Sequence, residues 1–189
     1  GSRTLAGSAE STDGYSQRLN HGKEWIQKVR HRLLGEFQGK NSGPIILVVA
    51  CLHGNEISGA DAALRVLNYL RRGNLKFHGH FVAILGNVPA YDARLRFIEE
   101  DLNRIWTHDR VNRAPESSPT SVEDGQMSEI RAVLKELDTS ENTGKYLLDL
   151  HTTSAAGPPF IVHAGDGKIR DVVRRIDTIE VRRVAEYLN

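Results

Sequence analysis

The chain has 189 residues, enough for one domain with a sizeable apolar core. A formal charge of +1 gives no bulk electrostatic drive toward nucleic acid or an anionic membrane. Cys51 is the only cysteine, which excludes an internal disulfide and a cysteine-built zinc site, and the longest apolar stretch, Ile45 to Leu52, is far too short to span a bilayer. Neither a nucleic-acid nor a membrane partner is expected, and a reducing, cytoplasmic setting is the default.

Residues 1–22 are polar and rich in Ser and Gly, and read as a disordered or tag-like tail with Gly1-Ser2 as an expression remnant. From Lys23 to Gln38, Trp25, Val29, Leu33 and Phe37 recur every four residues and predict an amphipathic helix. Ile45 to Ala50 is apolar without alternation, the pattern of a central strand covered on both faces. Gly59 to Arg72 predicts a helix with Ala63, Leu64, Leu67 and Leu70 on one side and Gly73 past its end. Phe81 to Leu85 is a second strand. Arg110 to Gln126, rich in Ser, Pro and Asn, reads as a mobile surface loop. Met127, Ile130, Leu134 and Leu137 mark another helix, Tyr146 to Leu150 a third strand, Phe160 to His163 a short fourth, and Val181 to Leu188 a last helix. Strands alternating with helices predict an α/β fold: a mixed, largely parallel central sheet with helices on both faces, in a single domain over residues 23–189.

In such sheets ligands bind beyond the carboxyl ends of the strands. His53-Gly54-Asn55-Glu56 follows the first strand, and His151 follows the third in Asp149-Leu150-His151-Thr152-Thr153. Two His and one carboxylate are the protein half of a catalytic zinc site, with the fourth position left to water. Each motif alone also fits a blander account: a loop His with a solvated Glu, and a hydrogen-bonded core His. Asp149, two residues before His151 on an extended chain, suits either a partner that orients a site residue or a backbone hydrogen bond. Arg96 and, further on, Asn103-Arg104 fit recognition of a carboxylated substrate, and an Arg can also stabilise a developing oxyanion; a charged loop is the alternative. Cys51 reads as a small buried hydrophobe, His78 and His80 as surface residues, and Gly165-Asp166-Gly167-Lys168 as a turn without Walker spacing.

His-Gly-Asn-Glu, then Arg-Phe-Ile before Asp-Leu-Asn-Arg, then Asp-Leu-His-Thr-Thr, in that order over residues 44–163, resemble the succinylglutamate desuccinylase/aspartoacylase family of zinc carboxypeptidase-like amidohydrolases. The resemblance implies one Zn2+ held by His53, Glu56 and His151. It implies that Arg96 polarises the scissile carbonyl, that Asn103 and Arg104 hold a substrate carboxylate, and that the small-molecule substrate is an N-acyl amino acid. The family takes its general base from a Glu on a later strand. Here Thr178-Ile179-Glu180-Val181 resembles that strand, at about half the usual separation and without the glycine that normally follows. Family members are also longer and carry a further C-terminal β-rich region. The elements from Asp166 to Arg183 follow one another with almost no connector, which reads as pieces of a longer chain joined together. A zinc carboxypeptidase acting on peptides, a zinc- or carboxylate-binding protein without catalysis, and a structural zinc site closed by a fourth ligand are the alternatives.

Overall fold

The fully apolar segment Ile-Ile-Leu-Val-Val-Ala forms strand β2 (Ile45–Ala50), and it lies inside a four-stranded sheet. In the computed structural model, residues 30–73, 75–113, 118–137, 144–153, 156–163, 167–176 and 178–182 are described. The chain divides into two compact units, residues 1–152 and 153–189. In the first, β1 (Leu33–Gln38), β3 (His80–Leu85), β2 and β4 (Lys145–Leu150) stand in the order β1-β3-β2-β4. β2 is parallel to both neighbours, whereas β1 runs antiparallel to β3. This is the expected mixed, mostly parallel sheet.

Period-two alternation divides the β2 side chains between two layers. Ile45, Leu47 and Val49, with Val82 and Ile84 of β3, pack against Met127, Ile130 and Val133 of α4 (Val122–Glu136). Val48, with Phe81 and Ala83, packs on Ala63, Leu67 and Leu70 of α1 (Ser58–Arg71). Helices therefore cover both faces. Both helical stripes are shifted slightly from expectation: Leu64 and Leu134 are exposed, and Val133 takes the buried position in α4. Between the major elements lie the short helices α2 (Val88–Ala93) and α3 (His108–Val111), and a 3₁₀ turn at Leu102–Arg104 whose Leu102 is fully buried.

Two expectations are corrected. The predicted helix over Lys23–Gln38 is, in its described part, the strand β1. A break in register between Leu33 and Gly35 sends Leu33 to the α4 layer and Phe37 to the α1 layer, so the two residues do not form one helical stripe. Pairing with β3 satisfies the backbone and overrides the local helical spacing. The predicted mobile loop over Arg110–Gln126 contains α3 and the first turn of α4. Ser121 caps α4 by accepting from the Asp124 N–H at 3.0 Å, and Glu123 and Asp124 are buried. The predicted helix from Val181 to Leu188 lies mostly outside the described residues; Val181 itself is in a strand.

In the second unit, β5 (Phe160–His163) and β6 (Ile179–Arg182) pair in parallel, with α5 (Gly167–Val173) between them in sequence. Among the described residues, no helix is long and apolar enough to cross a membrane.

Arg32 joins β3 to α4. It is fully buried and donates to the Leu85 and Gly86 carbonyls at 3.0 and 3.2 Å, to Gln126 at 2.9 Å, and to Glu129. Arg32→Ala strands these acceptors and is expected to cost about 3 kcal/mol, read by urea denaturation. Burial opposes ionisation of Glu129, but Arg32 and His31 hold its carboxyl below the usual 4.5. Burial likewise opposes ionisation of Glu123, which the Ile98 N–H, Asn87 and two further backbone N–H groups hold below 4.5. A carboxylate depressed in the folded state stabilises fully above its unfolded value, and the contribution disappears as pH falls through the depressed value. Melting temperature is therefore expected to fall steadily below about pH 4.5, and thermal melts from pH 7 to pH 3 would show it.

Candidate metal centre

Parallel β2 and β4 end at the same edge of the sheet, and each is followed by a histidine within three residues. After β2 the chain turns sharply. Cys51 adopts the left-handed region at φ 58°, a conformation uncommon for a non-glycine residue. The Asn87 N–H donates to the Cys51 carbonyl at 3.0 Å and the Gly86 N–H to the Ala50 carbonyl at 2.7 Å, so the chain just after β3 braces the turn. Burial pushes the Cys51 thiol up, which suits the inert buried residue expected from sequence. Gly54 follows, in a position that only glycine fits: a Cβ there would lie 2.0 Å from the Ala90 carbonyl carbon and 2.2 Å from the Tyr91 nitrogen. Its N–H donates to the Arg96 carbonyl at 3.2 Å, and the Glu56 N–H closes the turn on the His53 carbonyl at 3.0 Å.

The turn delivers His53 and Glu56, both buried, to partly exposed His151. His53 Nδ1 lies 2.7 Å from Glu56 Oε1, and His151 Nδ1 lies 3.1 Å from Glu56 Oε2. The imidazole centroids are 5.0 Å apart. The outer nitrogens are also engaged: His53 Nε2 with Asp101 Oδ1 at 2.9 Å, and His151 Nε2 with Asp149 Oδ2 at 2.8 Å. Asp149 thus takes the orienting position that sequence left open. Thr152 supplies its backbone N–H to Glu56 at 2.8 Å.

Charge is concentrated here. Burial works against ionisation of Glu56, but the Thr152 N–H, His53 and His151 hold its carboxyl below the ordinary value. Asp101 is also lowered: burial opposes, and His53, the Asn103 N–H and Arg96 prevail. The hydrogen bond with Asp149 raises His151, against its burial. Arg96, half-exposed, lies 3.4 Å from both Glu56 and Asp101.

These contacts pose a problem of donors and acceptors. A neutral imidazole carries one N–H. If each ring donates Nε2–H to its aspartate, each Nδ1 presents a lone pair to an oxygen of ionised Glu56. Lone pairs facing at these distances need either extra protons or a shared cation. One donor atom from each of His53, Glu56 and His151 lies within 4.8 Å of the others. Tetrahedral zinc bonds of roughly 2.0–2.2 Å place ligand atoms about 3.4 Å apart, so a modest convergence would close the set. The donor chemistry fits a divalent cation, with the aspartates fixing both rings by their far nitrogens.

The other predicted residues are placed as follows. Asn103 and Arg104 have exposed side chains on the 3₁₀ turn, whose backbone wraps Asp101: the Asn103 N–H donates to Asp101 Oδ1 at 2.9 Å and the Arg104 N–H to the Asp101 carbonyl at 2.8 Å. Glu180 is on β6 of the second unit, opposite Ile161. Sequence reasoning missed Asp101, although it stands inside Asp-Leu-Asn-Arg, and it missed Asn87 and Glu123. Glu123 hides in a polar stretch that resembles a loop; an N-cap serine two residues before it was the available signal.

The mixed, mostly parallel sheet with helices on both faces is the zinc carboxypeptidase-like fold, and His53, Glu56 and His151 stand at the carboxyl edge of its parallel strands. The family model for the succinylglutamate desuccinylase/aspartoacylase catalytic domain matches residues 42–178, and the chain belongs to that family. It is 26% identical over 136 residues to a succinylglutamate desuccinylase of Photorhabdus laumondii, covering 70% of this chain and 39% of the relative. It is 27% identical over 124 residues to an N-acyl-aromatic-L-amino acid amidohydrolase (carboxylate-forming) of Xenopus tropicalis, covering 64% and 38%. The crystal structure of succinylglutamate desuccinylase from Vibrio cholerae superposes with a TM-score of 0.52 at 17% identity, over 68% of this chain and 36% of that one, and supports the fold. The chain spans about two fifths of the length of these relatives.

Gly54→Ala drives a methyl into the α2 backbone, which cannot swing aside as a side chain would. A loss of about 1–3 kcal/mol is expected in urea denaturation, with the His53 ring resonances displaced in the NMR spectrum.

Proposed function

We propose that this chain carries the metal centre of a zinc-dependent hydrolase that cleaves the amide bond of an N-acyl amino acid. The observation that carries the reading is the pair of Nδ1 atoms turned onto one ionised carboxylate while both Nε2 atoms are tied to aspartates. His53, Glu56 and His151 would hold one zinc ion. When bound, zinc supplies Lewis acidity toward water and the scissile carbonyl.

The chain's own residues account for the remainder. Arg96, beside the cluster and half-exposed, is placed to meet the charge that develops on the carbonyl oxygen. Asn103 and Arg104 dock the substrate carboxylate and so fix which bond approaches the centre; Arg offers the planar fork that a carboxylate accepts. Asp101 and Asp149 keep both imidazoles in one tautomer and orientation. Glu180 is assigned the general base, taking a proton from water and passing it to the leaving amine. The family match and relatives that act on N-acyl amino acids support this substrate class.

Metal analysis of the purified chain should give about one zinc per molecule, and His53→Ala should fall to near zero. Full zinc retention in that variant contradicts the ligand set. Arg104→Ala is expected to raise KM for acidic N-acyl amino acids by about 10–100-fold, the loss of one charge-assisted hydrogen bond, with kcat little changed. Glu180→Gln should lower kcat by roughly 100–10,000-fold at unaltered zinc content. A panel of acyl amino acids against C-terminal peptides separates this activity from a carboxypeptidase.

A further inference from the structure

Arg96 and Asp101, which flank the cluster, sit on a loop that has no regular secondary structure of its own up to the 3₁₀ turn. Its order comes from α4, on the sheet face opposite α1. Glu123, in the first turn of α4, is fully buried. Its Oε1 accepts from the Ile98 N–H at 2.7 Å and from Asn87 Nδ2 at 3.0 Å, and its Oε2 accepts from the Glu99 and Glu100 N–H groups at 3.1 and 3.2 Å. Three consecutive backbone N–H groups converge on one carboxylate, the concave arrangement that binds anions. The loop reciprocates. Glu99 Oε2 accepts from the Val122 N–H at 2.6 Å, one of the helix's open donors, and Ser121 donates to Glu100, which also receives Arg110 at 2.7 Å.

All four donors to Glu123 are neutral. A buried carboxylate without a cationic partner is a poor device for stability, since an apolar residue avoids its desolvation. What it provides is position. Arg96 lies two residues before the clamped backbone and Asp101 one residue after it.

We propose that Glu123 is a positioning residue for the metal centre: by holding the Ile98–Glu100 backbone, it keeps Asp101 on His53 Nε2 and Arg96 beside Glu56. The proposal rests on the zinc reading above for its metal consequence, but its structural consequence is independent of metal. Gln is the informative replacement, because its amide group turns a donor toward two N–H donors whichever way it faces. Asp124 is the control. It is equally part of the α4 first turn and buried, yet it accepts from Thr120 and Arg113 and has no bond to the loop.

The test compares the full chain with Glu123→Gln and Asp124→Asn. Zinc affinity is measured by titration calorimetry with zinc chloride, and the His53 Nε2–H resonance and the exchange of the Ile98–Glu100 amides by NMR of the metal-free chain. Glu123→Gln should weaken zinc about tenfold, broaden or shift the His53 signal and speed exchange at the three amides, while α1 amides stay protected. Asp124→Asn should lose stability with zinc affinity and the His53 signal kept. Affinity within twofold of the parent and an unchanged His53 signal in Glu123→Gln overturn the proposal, as does an equal effect from Asp124→Asn. If the parent binds no zinc, the metal reading fails and the His53 and amide measurements still decide the positioning role. Should Glu123→Gln not fold, Glu123→Asp draws the carboxylate one methylene back from the three N–H groups; an unmoved His53 signal there is equally fatal.

Discussion

Everything at this site depends on one carboxylate shared between two imidazoles. Glu56 offers one oxygen to each Nδ1, and the ring on either side is anchored from behind by an aspartate. Such an arrangement needs either extra protons on the rings or a cation shared by the three groups, because carboxylate oxygens and imidazole lone pairs are all acceptors. The local fold keeps this electrostatic tension in place. The glycine at position 54, the left-handed Cys51 and the Thr152 N–H fix Glu56 where relaxation away from the rings is blocked.

The sheet contributes direction and α4 contributes precision. Parallel β2 and β4 bring residues 95 positions apart in sequence to the same edge, which a shared register from Ile45↔Lys145 to Ala50↔Leu150 makes rigid. That placement alone sets the backbone, not the ring orientation. Orientation comes from Asp101, and Asp101 inherits its position from a loop whose N–H groups are gathered by a helix on one face of the sheet. The His53–Glu56–His151 cluster is therefore the outermost layer of a hydrogen-bonded stack whose inner members are Glu123 and Asn87. Arg32, through Gln126 and the Leu85 and Gly86 carbonyls, extends the stack to the start of β1.

Much of this was legible from sequence where burial dominates. The apolar runs at Ile45–Ala50 and Phe81–Leu85 could only be buried strands, and the polar residues closing the first could only stand at a sheet edge. The three motifs pointed to His53, Glu56 and His151, which the structure gathers, to Arg96, which lies beside them, and to Asn103 and Arg104, which are exposed on the 3₁₀ turn. What escaped was decided by partners distant in sequence. Leu33 and Phe37 have helical spacing, and only a register break against β3 sends them to opposite layers. Glu123 and Asp124 look like solvated loop residues because their donors come from residues 98–100 and from Thr120 and Arg113. Buried carboxylates served by backbone N–H groups leave no periodic signature. Glu180 enters only as what the resemblance implies, since one acidic residue in Ile-Glu-Val-Arg has no chemistry legible by itself.

The charge count ties the metal to the substrate. Three acidic side chains, Glu56, Asp101 and Asp149, surround the rings, and Arg96 lies 3.4 Å from Glu56 and Asp101; by formal charge, neutral imidazoles leave an excess of two negative charges. A divalent cation cancels that formal excess, as protonation of both rings would. The same cancellation matters for an anionic substrate. Against an uncompensated cluster, an N-acyl amino acid would meet net repulsion at the point of chemistry. Half-exposed Arg96 lies 3.4 Å from Glu56 and Asp101, and Arg104 is exposed on the 3₁₀ turn. Under the proposed function, a bound cation would offset the acidic residues around the rings and leave Arg96 beside them to meet an anionic substrate.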